Sequence, residues 1–82
     1  MILNNEMKDV MSERDVENFE GKVKTFFDAN NYQKDYEAAV RYAKRYGGVV
    51  YTMVDSDDGK HTVYEKGLHF VNRFGFAVLI GK

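Results

Sequence analysis

The apolar residues of this chain change their spacing at the pair Gly47-Gly48, and this change constrains the fold more than any other sequence feature. Before the pair, apolar residues recur at every third or fourth position, which predicts amphipathic helices. After the pair, they alternate or run continuously, which predicts strands. Two adjacent glycines form a strong helix stop because glycine readily adopts the left-handed conformation of many helix ends. Helices followed by strands indicate the α+β class.

Two helices are predicted before the glycine pair. The first has Ser12 as N-cap, with Asp15 in place of the Glu or Gln of a standard capping box. Its apolar stripe covers about four turns and consists of Val16, Phe19, Val23, Phe26 and Phe27. The second helix covers residues 35–46, with Asp35 as N-cap or first-turn acid. Its predicted buried stripe is Tyr36, Ala39, Val40 and Ala43. A further short helical turn, capped by an asparagine, is a candidate over residues 5–11.

A β-hairpin is predicted directly after the glycine pair. Residues 49–54 form its first strand and residues 61–66 its second, joined by a turn at Asp58-Gly59. A two-residue turn at this place sets the register. It pairs Met53 with Tyr64, Val54 with Val63 and Thr52 with Glu65. Both faces of the hairpin carry apolar groups, so the pattern leaves open which face is buried.

A third strand is predicted over residues 74–80, with Phe76, Val78 and Ile80 on one face and Ala77 and Leu79 on the other. Residues 67–74, before it, fit either an inward-turning loop or one helical turn. The predicted fold is therefore a single domain over residues 1–82, in which two helices pack on a three-stranded antiparallel sheet in the order α-α-β-β-β.

Composition narrows the classes of function. The 82 residues contain no Cys, which excludes a disulfide framework, a thiolate metal site and a cysteine nucleophile. The net charge of −1 argues against a binder that is basic over its whole surface and against an acidic DNA mimic. The longest apolar run is residues 76–80, far shorter than the roughly 20 residues of a membrane helix. Residues 1–6 lack the features of a signal peptide. We therefore expect a cytoplasmic protein without a membrane partner.

Charge is distributed unevenly along the chain. Residues 1–40 carry nine acids and five bases, whereas residues 41–54 carry three bases and no acid. Residues 55–58 contain three acids, and residues 59–82 contain four bases and one acid. This pattern fits either an ordinary solvated surface or a bipolar molecule that docks one face on a charged partner.

Metal and catalytic motifs are weak. The segment Asp55-Ser56-Asp57-Asp58-Gly59 starts like a calcium loop, but glycine stands fifth instead of sixth and the twelfth position is Lys66. The motifs of P-loops, dinucleotide-binding folds, nucleophile elbows and zinc proteases do not occur. We therefore predict neither an enzyme nor a metal or other cofactor. A third hypothesis keeps a small enzyme in which His69, beside Glu65, acts as general base.

The end of the second predicted helix combines cations with aromatic rings. Arg41, Lys44 and Arg45 are basic, and Tyr42 and Tyr46 stand beside them. Basic residues neutralise phosphates and tyrosines stack on bases, so this segment is a candidate nucleic-acid interface. Further bases that extend the patch are Lys66, His69 and Arg73. The alternative is an ordinary basic last turn that complements the helix dipole.

A protein interface is the other candidate. Six Tyr and six Phe are many for this length, and exposed tyrosines are typical of interfaces. An open sheet edge also leaves homodimerisation available. The predicted contacts are Tyr42, Arg45, Tyr51, Tyr64, His69 and Arg73, and the complete set of candidate partner-binding residues adds Arg41 and Lys44.

Residues 64–76 (Tyr-Glu-Lys-Gly-Leu-His-Phe-Val-Asn-Arg-Phe-Gly-Phe) resemble the tails of small uncharacterised proteins encoded by phages and mobile elements of Gram-positive bacteria. The resemblance covers about the last third of the chain. It implies a single-domain accessory protein, and several such proteins, including anti-CRISPR proteins, inhibit a host enzyme or defence complex. The first hypothesis is therefore a non-enzymatic inhibitor that docks on a host protein. The alternative is a small nucleic-acid-binding regulator that uses Arg41, Lys44, Arg45 and Arg73. The feature that discriminates between these two hypotheses is whether the basic residues form one continuous patch.

Overall fold

The computed structural model of the protein describes residues 8–27 and 31–81. Within these residues, two helices and five strands follow one another in the order β1, α1, β2, α2, β3, β4 and β5. Their bounds are β1 Val10–Ser12, α1 Glu13–Glu17, β2 Gly21–Phe26, α2 Tyr32–Tyr46, β3 Val49–Asp55, β4 Thr62–Lys66 and β5 Arg73–Gly81. The strands form one antiparallel sheet in the spatial order β1-β4-β3-β5-β2.

The α+β class is confirmed, but the predicted three-stranded sheet is wrong because the sheet has five strands. The two additional strands, β1 and β2, form its two edges. Both come from segments that the apolar spacing predicted to be helical. The order of elements is therefore not α-α-β-β-β, since helices and strands alternate in the first half of the chain.

Strand β2 replaces most of the first predicted helix. Helix α1 ends at Glu17, and the chain becomes extended at Gly21. After Gly21, lysines alternate with Val23 and Thr25, whose branched side chains favour strands. The spacing of these residues therefore fits a helix as well as a strand. The segment forms a strand because its six residues pair with β5. Gly21 permits this pairing, because a Cβ atom there would collide with the Ile80 carbonyl oxygen and lie 2.6 Å from the Phe19 ring.

The start of α1 has the predicted capping box. The Ser12 hydroxyl accepts a hydrogen bond from the Asp15 amide at 3.1 Å, and the Asp15 carboxylate accepts one from the Ser12 amide at 3.0 Å. The helical turn predicted over residues 5–11 is wrong for residues 8–11, the part that the structure describes, since Val10 and Met11 belong to β1. Residues 1–7 lie outside the described part of the chain.

Helix α2 begins three residues earlier than predicted. Its N-cap is Asn31, whose side chain accepts a hydrogen bond from the Lys34 amide at 3.1 Å. Asp35 is therefore not the cap but a buried acid of the first turn, which is the other position predicted for it. The predicted end is confirmed, because Gly47 follows Tyr46 in the left-handed conformation with φ of 76°.

The hairpin register is confirmed, with Met53 opposite Tyr64 and Val54 opposite Val63. Residues 67–72, which connect β4 to β5, form a loop without a helical turn. A bulge follows in β5, because Met53 and Val54 oppose Gly75 and Arg73 and leave Phe74 as the extra residue.

Both faces of the sheet are covered, which answers the question that the hairpin pattern left open. Helix α2 packs Ala39 and Ala43 on Phe76 and Val78. On the other face, the segment containing α1 crosses the sheet from β1 to β2 and buries a second cluster of side chains. That cluster consists of Met11, Phe19, Tyr51, Met53, Ala77 and Leu79. The predicted division of β5 into two faces is confirmed.

Candidate functional site

The eight candidate residues lie in three separate places. Arg41, Tyr42, Lys44 and Arg45 belong to the second half of α2. Tyr51 and Tyr64 lie on the opposite face of the sheet, beside the cluster that α1 covers. His69 and Arg73 lie in or next to the 67–72 loop. The structure therefore does not join all predicted basic residues into one patch.

The two sheet tyrosines belong to the interior more than to the surface. Tyr51 is fully buried, and its hydroxyl donates a hydrogen bond to the Lys8 carbonyl oxygen at 2.7 Å. Tyr64 is partly buried against the same cluster. Burial raises the pKa of both phenols. Tyr51 has no surface to offer a partner, so its predicted role as a contact residue does not fit this arrangement.

Helix α2 displays a repeated Arg-Tyr pair. Arg41-Tyr42 recurs as Arg45-Tyr46 four residues later, and residues four apart lie one above the other on a helix. The ring centres of Tyr42 and Tyr46 are 4.6 Å apart. The Arg45 guanidinium lies 5.5 Å from the Tyr46 ring centre, within range of a cation–π contact.

Strand β2 adds two lysines to this aromatic pair. Lys22 and Lys24 alternate along the strand, so both project toward the α2 side of the sheet. The Lys22 ammonium lies 5.8 Å from the ring centres of both Tyr42 and Tyr46. The Tyr42 hydroxyl, and less strongly the Tyr46 hydroxyl, raise the pKa of the Lys22 ammonium. Together these side chains form what we call the α2–β2 surface, which consists of Lys22, Lys24, Arg41, Tyr42, Arg45 and Tyr46.

The cations of the α2–β2 surface have no carboxylate partners among residues 8–27 and 31–81. The ion pairs within 4.0 Å in these residues join Lys8 to Asp15, His61 to Glu13, Lys66 to Asp9 and His69 to Glu65. Within the described residues, therefore, no carboxylate lies within 4.0 Å of Lys22, Lys24, Arg41 or Arg45 to compete with an external anion. Lys44 is not part of this surface, because it lies about 160° around the helix from Tyr42.

The segment that covers the other face of the sheet has the opposite charge. Residues 13–20 carry four acids, Glu13, Asp15, Glu17 and Glu20, against the single base Arg14. The α2–β2 surface carries four bases and no acid. The uneven charge along the sequence therefore becomes a separation between two faces of the folded molecule.

His69 and Arg73 occupy the other flank of α2. Thr52 anchors the loop here, since its hydroxyl donates to the Gly67 carbonyl oxygen at 2.6 Å and accepts from the His69 amide at 3.1 Å. One ring nitrogen of His69 lies 3.3 Å from the Glu65 carboxylate, and the other lies 2.9 Å from the Lys66 carbonyl oxygen. These contacts hold the loop against the sheet.

The acidic segment that starts like a calcium loop forms the hairpin turn. The Asp58 carboxylate accepts hydrogen bonds from the Ser56 hydroxyl and the Lys60 amide. These bonds lower the pKa of Asp58. Among residues 8–27 and 31–81, no group of three or more His, Asp or Glu side chains is placed to hold a metal ion.

Sequence reasoning missed Lys22 and Lys24, whereas it placed Tyr46 beside the basic residues of α2. The two lysines were assigned to a helix, where residues two apart point to different sides. The signal that identifies them is the alternation of lysine with β-branched residues directly after a glycine. Their neighbours on α2 cannot be read from spacing, because 20 residues separate Lys22 from Tyr42.

No helix in the described part of the chain is long and apolar enough to cross a membrane. The chain was also compared with known proteins. No protein-family model, curated protein or solved structure matches it.

Proposed function

We propose that this protein is a small non-enzymatic binding module whose α2–β2 surface binds single-stranded nucleic acid. The observation that carries the proposal is the contact of Lys22 with both Tyr42 and Tyr46. It joins a cation of one element to the aromatic pair of another, within a set of four cations that have no carboxylate partner among the described residues. A cytoplasmic location stays a prediction of the sequence alone.

The chemistry of this surface matches the two parts of a nucleotide strand. Lysine and arginine side chains neutralise backbone phosphates and release counterions, which supplies sequence-independent affinity. Tyrosine rings stack on bases irrespective of their identity. Tyr46 is 48% exposed, so part of its ring is accessible for stacking. Stacking of this kind requires bases that are not already paired in a duplex, which favours a single strand.

The separation of charge explains how a chain with a net charge of −1 can bind a polyanion. The acidic segment 13–20 lies on the far side of the sheet from the four cations. A strand approaching the α2 side meets positive potential, whereas the far side repels it. The proposal therefore specifies that the protein binds the strand with its α2 side facing the ligand.

The second candidate keeps a protein as the partner, as the resemblance to phage-encoded accessory proteins implies. An acidic protein surface would meet the same cations, and Tyr42 and Arg45 belong to both hypotheses. This inhibitor hypothesis stays a prediction. The experiment below tests the nucleic-acid candidate by itself, because dT12 offers unpaired bases that can stack on the tyrosines, which an acidic protein surface does not.

The test is fluorescence anisotropy with labelled dT12 and with a labelled 12-base-pair duplex, at 50 and 200 mM salt. If all four cations contact phosphates, affinity for the single strand should fall about 50-fold between these salt concentrations. Lys24→Gln should weaken binding about eightfold at 50 mM and about threefold at 200 mM, since one phosphate contact is lost. Tyr46→Leu should weaken it through lost stacking.

The matched control is Lys60→Gln, which removes the same charge from the hairpin turn outside the α2–β2 surface. It should bind like the wild type. Absence of binding to dT12 at 50 mM, or equal losses for Lys24→Gln and Lys60→Gln, would contradict the proposal. Tighter binding to the duplex than to dT12 would contradict the assignment to single strands.

A further inference from the structure

A hollow of about 230 Å³ lies between the first turns of α2 and the 67–72 loop. Its lining side chains are Tyr32, Gln33, Tyr36, Leu68, Phe70 and Arg73. It is separate from the α2–β2 surface, because Tyr36 and Tyr42 point about 120° apart around the helix, with Ala39 between them against the sheet. No residue belongs to both places.

The polar centre of the hollow is Arg73. Its guanidinium lies between two rings, 5.1 Å from the centre of Tyr32 and 4.8 Å from that of Phe70. It donates one long hydrogen bond, 3.4 Å, to the His69 carbonyl oxygen. The ion pairs of the described residues do not include Arg73. Since a guanidinium has five N–H donors, most of them are available to a carboxylate.

The rim of the hollow is apolar and exposed. Phe70 is 71% exposed and Val71 77%, and Leu68 is 38% exposed. Backbone hydrogen bonds hold this rim at both ends, from the Gly67 amide to the Val50 carbonyl and from the Asp55 amide to the Asn72 carbonyl. Exposed apolar side chains on an anchored loop, next to an arginine, have the composition of a protein interface.

We propose that this hollow binds a peptide segment of another protein in which an apolar side chain stands next to an aspartate or glutamate. The carboxylate would pair with Arg73, and the apolar side chain would enter between Tyr36, Leu68 and Phe70. The volume is below the roughly 300 Å³ at which pockets for drug-sized ligands begin, so it suits one side chain. A nucleotide strand fits less well, because the hollow offers one cation whereas the α2–β2 surface offers four. This inference does not rest on the proposed binding of nucleic acid.

The test is a ¹H–¹⁵N NMR titration of the whole chain with the peptide acetyl-Gly-Leu-Asp-Gly-amide and with its counterpart containing Asn instead of Asp. The acidic peptide should shift the amide signals of Gln33, Tyr36, Phe70 and Arg73, with a dissociation constant of roughly 1 mM. The Asn peptide should bind roughly tenfold more weakly, since it lacks the charge-assisted hydrogen bonds. Arg73→Gln should abolish this difference, whereas Arg14→Gln, at an exposed position of α1 on the far side of the sheet, should preserve it.

A second variant keeps the test decisive if Arg73→Gln does not fold. Phe70→Ser changes a side chain that is mostly exposed, and it should weaken the binding of both peptides to a similar degree. Equal affinity of the wild type for the two peptides, or no shift at 10 mM peptide, would overturn the inference. So would larger shifts of these four signals with dT5 than with the acidic peptide, because they would assign the hollow to nucleotides.

Discussion

At the scale of single residues, the capping box of Ser12 and Asp15 shows how a local pattern of sequence becomes a local structure. Its two hydrogen bonds involve residues only three positions apart, so no tertiary contact is needed to form them. The bond from the Ser12 amide holds the pKa of Asp15 below its usual value, and Lys8, 3.6 Å away, lowers it further. The charged form of Asp15 therefore stabilises the start of α1.

The corresponding prediction concerns pH. A carboxylate whose pKa is lower in the folded state stabilises the fold above its unfolded pKa of about 3.9 and loses this effect as pH falls through the folded value. Asp15→Asn should therefore be less stable than the wild type at pH 6, and the difference should shrink below about pH 4. Urea denaturation at pH 6 and pH 3 measures it. Asp57→Asn, at an exposed position of the hairpin turn, is the control. The prediction would be contradicted if the stability difference between Asp15→Asn and the wild type were the same at pH 6 and pH 3.

At the scale of elements, β2 shows where a local pattern is ambiguous. Its side chains satisfy the spacing of a helix and the alternation of a strand, and pairing with β5 decides between them. Lys22 and Lys24 lie on this edge strand, where lysines discourage pairing with a strand of another molecule. The homodimer that an open edge would permit is therefore not favoured at β2.

Gly21 and Gly81, which pair across β2 and β5, provide a matched test of this element. A Cβ atom at Gly21 would collide with the Ile80 carbonyl oxygen, whereas a Cβ atom at Gly81 meets nothing within 4 Å. Gly21→Ala should lower the free energy of unfolding by about 1–3 kcal/mol, the usual cost of overpacking. Gly81→Ala should change it by less than about 0.5 kcal/mol. Urea denaturation measures the free energy of unfolding of both variants. Equal values would show that the Ile80 carbonyl oxygen does not approach Gly21 closely.

At the scale of the whole molecule, the fold separates charges that alternate along the chain. The α2 side of the sheet receives the cations of β2 and α2, and the far side receives the acids of residues 13–20. A small domain with nearly zero net charge thereby acquires one face that is rich in cations.

This separation predicts unequal effects of charge changes on the two faces. Glu17→Gln and Lys24→Gln each remove one charge. Glu17→Gln, on the far side, should change affinity for dT12 by less than about twofold at 200 mM salt, where the screening length is below 10 Å. Lys24→Gln should weaken the binding of dT12 about threefold at the same salt concentration. Anisotropy titrations measure both, and similar effects of the two variants would indicate that binding does not distinguish the faces.

The sequence by itself determined the elements whose cause is local. The start of β3, the stop at Gly47, the register of the hairpin and the two faces of β5 follow from turn chemistry and from periodicity within about 15 residues. In the candidate site, the same reasoning identified the cations and tyrosines of α2, because they share one helix. These features required no knowledge of which elements meet in space.

The tertiary structure decided the edges of the sheet and the composition of the α2–β2 surface. Strand β2 forms because it pairs with β5, whose paired residues lie 50 to 60 positions further along the chain, and a local pattern does not reveal so distant a pairing. The same pairing brings Lys22 beside Tyr42 and Tyr46. The tertiary packing also buries Tyr51 and places Arg73 on the flank of α2 opposite the α2–β2 surface. Neither could be predicted locally, because the exposure of a side chain depends on which elements cover each face of the sheet.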